Sequence, residues 1–197
     1  MGGMSDAVQL EAVVKRFGDH VAVDCLSFSV PTGLIYGFLG PNGAGKTTTL
    51  RMLIGIFYPD AGRITVLGQA NPAAIKARIG YLPEDRGLYD KMKLGELVSY
   101  YGELKGMPAG KARMRAKQLL EQFGLGEWWD AKCQALSKGM AQKAQILATI
   151  LHEPELVTRG RLTSGAGGHR RGRRACAALR PEGVESARDL YSGRRWW

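Results

Sequence analysis

The chain has 197 residues, 45% of them hydrophobic, and a formal net charge of +10. That length allows one sizeable domain with its own core, and no apolar run reaches the 18 or so residues needed to cross a bilayer. The charge is uneven: residues 158–197 hold ten Arg and three acids, whereas residues 1–157 hold 18 basic and 15 acidic residues. The body is therefore nearly balanced, and a nucleic-acid partner is not expected for it. The first residues, "MGGMSDAVQL", lack the basic start and apolar block of a secretory signal, and Asp6 breaks the myristoylation pattern. Cys25, Cys133 and Cys176 are scattered and odd in number, which points to a reducing compartment with buried thiols.

In chain order, "AVQLEAVVKRFGDHVAVDCLSFSVPTG" is Val- and Phe-rich and reads as strands, with turns at Gly18-Asp19 and Pro31-Thr32-Gly33. "LIYGFLG" is a continuous apolar run that suits a buried parallel strand. A helix is expected over Lys46–Phe57, stopped before Pro59; "PDAG" is a turn and "RITVLG" the next strand. "IGYLPE" is a short strand ending at Pro83. Leu94, Leu97, Val98, Tyr101 and Leu104 recur at helical spacing, and "GKARMRAKQLLEQFGLG" forms another helix closing on Gly124. Ser137 is a natural N-cap for a helix whose face carries Met140, Ala144, Leu147, Ile150 and Leu151. "PELV" opens a buried strand.

From Thr158 onward the chain has no Lys, and Leu162, Leu179, Val184 and Leu190 are its only Leu, Ile, Val or Phe residues. Its composition predicts a disordered Arg- and Gly-rich tail without strands, with helix expected only near "RACAALRPEGVESARDLY".

Gly40-Pro41-Asn42-Gly43-Ala44-Gly45-Lys46-Thr47 fits G-x-x-x-x-G-K-[ST], with a strand before it and a helix after it. The glycines let several backbone N–H groups turn inward onto one anion, and the helix adds its positive end. Lys46 reaches the terminal phosphates, and the Thr47 hydroxyl is placed for Mg²⁺. A nucleoside triphosphate is the expected ligand.

The motif set resembles the ATP-binding-cassette family. It comprises "VVKRFGDHVAV", the phosphate loop, "PDAGRITVLG", "IGYLPEDRGLY", a helical stretch, then "LSKGMAQKAQ", running from about residue 8 to 157. "IYGFLGPNGAGKTTTLRMLIGI" and "LPEDRGLY" are most similar to bacterial exporter-type cassettes for sodium or drug efflux. The resemblance implies an α/β P-loop NTPase cassette with an N-terminal antiparallel β subdomain, spanning residues 5–157, and a helical insert over about residues 88–135. It implies ATP and Mg²⁺ as cofactors, with Gly40 to Thr48 on the phosphates and Phe17 stacked on adenine. Glu84 stands where the family commonly has a Gln near Mg²⁺. Ser137 and Gly139 would face the γ-phosphate bound by a second ATP-binding subunit. A membrane-spanning permease is the implied partner, which would hold the chain peripherally at the inner face of the membrane.

The family's Asp-Glu pair, which follows the strand after the signature helix, would fall at Gly160 and Arg161, and no strand precedes His169 for the family's late His. The expectation is a core sheet lacking its C-terminal part, a phosphate-loop strand with open edges, and a chain deficient in hydrolysis. A shifted reading frame after codon 157, a binding-only nucleotide-sensing protein, and an Arg-rich arm for nucleic acid are the competing accounts of the tail. A cassette protein acting in translation or repair is the rival to transport.

Overall fold

The computed structural model describes residues 5–83, 88–160 and 175–179. β1 (Asp6–Phe17) and β2 (His20–Pro31) form an antiparallel hairpin, and β4 (Ala61–Val66) adds to the other edge of β1, giving a sheet ordered β2-β1-β4. The hairpin turns through Gly18 and Asp19, as expected, with Gly18 at φ 58°. A second sheet is ordered β3-β7-β6-β5, from β3 (Ile35–Phe38), β5 (Ile79–Leu82), β6 (Leu156–Arg159) and β7 (Ala175–Leu179). β5 and β6 run parallel, while β7 lies antiparallel to both β6 and β3. α1 (Lys46–Leu53) follows β3 through the glycine loop. α2 (Leu94–Leu104), α3 (Ala109–Gln122) and α4 (Lys138–Ile150) make a helical lobe.

Two cores follow from these faces. Val8, Leu10, Val13, Leu50, Met52 and Val66 close the space between the first sheet and α1. Leu94, Val98, Leu120, Leu125, Leu147 and Leu151 close the helical lobe. Each fully buried Leu contributes about 1.5–3 kcal/mol by leaving water. No helix among the described residues is long and apolar enough to cross a membrane.

The structure differs from the sequence reading in four places. α1 ends at Leu53 rather than Phe57, because Gly55 takes φ 73° and the Ile56 N–H turns back to the Arg51 carbonyl. β3 is not buried on both faces: Tyr36 and Phe38 pack on Phe28, but Ile35 is 49% exposed. Cys25 is exposed, although Cys133 is buried. The region beyond residue 157 is not free of strands, since Thr158 and Arg159 complete β6 and "ACAAL" forms β7. β3 therefore has a partner on the edge expected to be open; the strand beside it runs antiparallel instead of parallel. Thr158 nonetheless places a fully buried hydroxyl in β6 with no hydrogen-bond partner among the described residues, a polar intrusion at the residue where composition shifts.

The helical lobe is fastened to β5 by polar contacts to backbone carbonyls. Lys105 Nζ, at the end of α2, donates to the carbonyls of Lys76 and Ile79 at 2.8 Å each. His152, just past α4, sets Nε2 at 3.3 Å from the same Ile79 carbonyl, so Nε2 carries the proton and Nδ1 is left buried without a partner. Burial, and then the Lys105 cation, push the imidazole from 6.5 down to about 4. Protonation thus favours the unfolded chain, and stability falls as pH drops from 6.5 toward 4, by less than the roughly 3 kcal/mol of the full shift because the ring keeps some access to solvent. Urea unfolding at pH 7.5 and 4.5 should show this loss, and His152→Gln should flatten it; an equal pH loss in the variant contradicts the assignment.

Candidate phosphate-binding site

Between β3 and α1 the backbone is shaped by two glycines of positive φ, Gly43 at 84° and Gly45 at 73°. Gly45 is the N-cap residue of α1, and its carbonyl accepts from the Thr49 N–H at 2.8 Å and the Thr49 hydroxyl at 2.9 Å. The Ala44 N–H donates to the Pro41 carbonyl at 3.3 Å, which holds the turn. A Cβ on Gly45 would lie 2.2 Å from the Ala22 carbonyl oxygen and 2.9 Å from Val23 Cγ2, so β2 forms the wall against which the loop is pressed. Lys46 folds back over the loop, with Nζ donating to Gly40 O at 2.7 Å and also to Pro41 O. No acid occupies the first turn of α1, so its positive end is uncompensated.

Above the loop is a cavity of about 360 Å³. Asn42, Gly43, Gly45, Lys46, Thr47 and Thr48 form its floor, and Phe17, His20 and Ala22 rise along its side. The structure thus brings Phe17 to the phosphate loop from a distant position in the sequence. Its ring, 44% exposed, meets Phe57 edge-on at 5.3 Å and 73°, with Lys15 Nζ 5.5 Å from its centroid. Lys15 is held by Asp60 at 2.9 Å, and the Asp60 carboxylate also accepts from the Arg16 N–H at 2.6 Å. The Arg16 N–H and then Lys15 hold the Asp60 carboxyl below its usual range. His20 was not singled out by motif; the signal for it was the two-residue turn, which sets it opposite Phe17.

The residues fit a nucleotide: a glycine-loop floor carrying the Lys46 cation, and an aromatic ring at the side. For Mg²⁺ the described lining offers the Thr47 hydroxyl and no carboxylate, which suits an ion carried mainly by phosphate oxygens and water. Among the described residues no group of three or more His, Cys, Asp or Glu side chains could hold a metal. Glu84, Arg161 and His169 lie outside the described residues. Gly160 follows β6, and its N–H donates to Leu82 O at 3.1 Å, so the first of the two acid positions has no side chain.

Ser137 and Gly139 are not part of this cavity. Ser137 caps α4, its hydroxyl accepting from the Met140 N–H at 3.3 Å, and both residues are exposed. Nothing lies within 4 Å of a Cβ built on Gly139. The helix end, with no acid in its first turn, faces outward and is open to an incoming anion. Ser137→Ala should lower stability by about 1 kcal/mol, read as a shifted urea midpoint with unchanged slope. An unchanged midpoint contradicts the cap.

Comparison with known proteins matches residues 23–158 to the ABC transporter family. An uncharacterized ABC transporter ATP-binding protein of Bacillus subtilis (strain 168) is 43% identical over 148 residues, 75% of this chain and 50% of its own length. The Nod factor export ATP-binding protein I of Ralstonia nicotianae is 37% identical over 166 residues, 83% of this chain and 52% of its own. The chain spans about half the length of the curated relatives it matches. Among solved structures, an ATP-binding subunit of an ABC transporter superposes with a TM-score of 0.65 at 24% identity, covering 78% of this chain and 65% of the other. CbiO1 of Clostridium perfringens, part of the cbiONQ complex, gives 0.66 at 21% identity, covering 78% and 64%. These two likenesses bear on the fold.

Proposed function

This chain belongs to the ABC transporter ATP-binding family, and from that premise we propose that it is the nucleotide-binding subunit of an exporter, acting with a membrane-spanning permease. Residues 5–157 form its ATP-binding domain. Mg·ATP sits with its phosphates on Gly40 to Thr48 and its base on Phe17, and Thr47 is the protein's ligand to the ion. Ser137 and Gly139 address the γ-phosphate held by a second ATP-binding subunit, and the permease keeps the assembly at the inner face of the membrane. The observation that carries this reading is the continuous cavity joining Lys46 to Phe17. The name of the Nod factor export relative supports export as the direction of transport.

The same cavity supports weak turnover. No carboxylate among the described residues lines it, and Gly160 brings none at the end of β6. Loss of a general base costs about 10²–10⁴ in rate, which takes an ordinary turnover of about 10 per second below about 0.1 per second. The full chain at saturating Mg·ATP should show that slow rate. Several turnovers per second, abolished by Lys46→Ala, contradict it.

A further inference from the structure

We propose that His20 recognises the ribose of the bound nucleotide, through hydrogen bonds to the sugar hydroxyls; the inference rests on the reading that the loop holds a nucleoside triphosphate. His20 lines the cavity beside Phe17 and Ala22. It is the direct cross-strand partner of Phe17 in the β1–β2 pairing, so the two rings project from the same face of the hairpin, with Cβ atoms about 5 Å apart. Ala22, two residues further along β2 where the pairing with β1 shifts register, lines the same cavity, and its carbonyl abuts Gly45 at the loop. A strand rises about 3.3 Å per residue, which sets His20 about 7 Å up the wall from the loop. A nucleotide whose phosphates rest on the loop and whose base meets Phe17 runs its sugar between the two, along the cavity side that His20 and Ala22 line. Imidazole offers one donor and one acceptor nitrogen, and a ribose diol offers both complements. His20 is exposed and has no hydrogen bond or ion pair with a described residue, so neither nitrogen is committed elsewhere.

The test is calorimetry on the full chain, His20→Ala and His20→Gln, each titrated in Mg²⁺ with ATP, 2′,3′-dideoxy-ATP and inorganic tripolyphosphate. Wild type should prefer ATP over the dideoxy analogue by about three- to tenfold, the value of a hydrogen bond or two. His20→Ala should bind both alike, and His20→Gln should keep part of the preference. Tripolyphosphate affinity should be equal in all three proteins. A preference that survives in His20→Ala, its absence from wild type, or a tripolyphosphate affinity that falls with the substitution overturns the assignment while leaving the phosphate loop standing. Failure of wild type to bind ATP or tripolyphosphate overturns the nucleotide reading, and this one with it. Thermal melts of the variants should match wild type, because the side chain is exposed.

Discussion

Gly45→Ala is expected to lower ATP affinity at least about 100-fold and to destabilise the fold by about 2–4 kcal/mol. Two causes act together. At φ 73° an L side chain carries the left-handed penalty of about 1–2 kcal/mol. The added methyl would also stand 2.2 Å from the Ala22 carbonyl oxygen, a backbone atom of β2 that cannot rotate away. Either β2 or the loop must shift, and a shifted loop no longer converges its N–H groups on one anion. Gly43→Ala separates the causes: its φ is 84°, yet nothing lies within 4 Å of the new methyl. It should cost only the left-handed term, and urea unfolding of the two variants should differ by about 1–2 kcal/mol. Equal stabilities contradict the pressed-wall account of Gly45.

Lys46→Ala should abolish detectable nucleotide binding while leaving the melting temperature within a few degrees of wild type. Without ligand, the ammonium spans the Gly40 and Pro41 carbonyls, and solvent can replace it there. In the proposed complex the same cation would face the phosphate chain, where a charge-assisted hydrogen bond is worth about 1.5–3 kcal/mol each. Two such bonds amount to about 100-fold or more in affinity. Lys46→Arg should fail to restore it, since the planar guanidinium fork does not fit a pocket shaped by one compact ammonium. Titration of both variants with Mg·ATP reads the effect; wild-type affinity in Lys46→Ala contradicts the role given to the loop.

The features legible in the sequence are those set by local rules. The glycine loop is fixed by where positive φ is needed, the Ser137 cap by a hydroxyl beside free helix N–H groups, and the core of the helical lobe by 3.6-residue periodicity. What escaped was decided at a distance. "ACAAL" has no β-branched residue or alternation, and becomes β7 only through pairing with edges of β3 and β6 far away in the chain. The half-exposed β3 looks fully buried as a string of letters, because a strand's environment depends on what covers each face. α1 stops early at a glycine that helical spacing alone does not weigh. His20 is an unremarked hairpin residue until the pairing places it over the loop.

Isothermal calorimetry of the intact chain with Mg·ATP tests the central claim most directly. A saturable exchange of heat that competes with tripolyphosphate and vanishes in Gly45→Ala and Lys46→Ala is the predicted result. Folded protein that gives no heat, or gives the same heat in both variants, contradicts it.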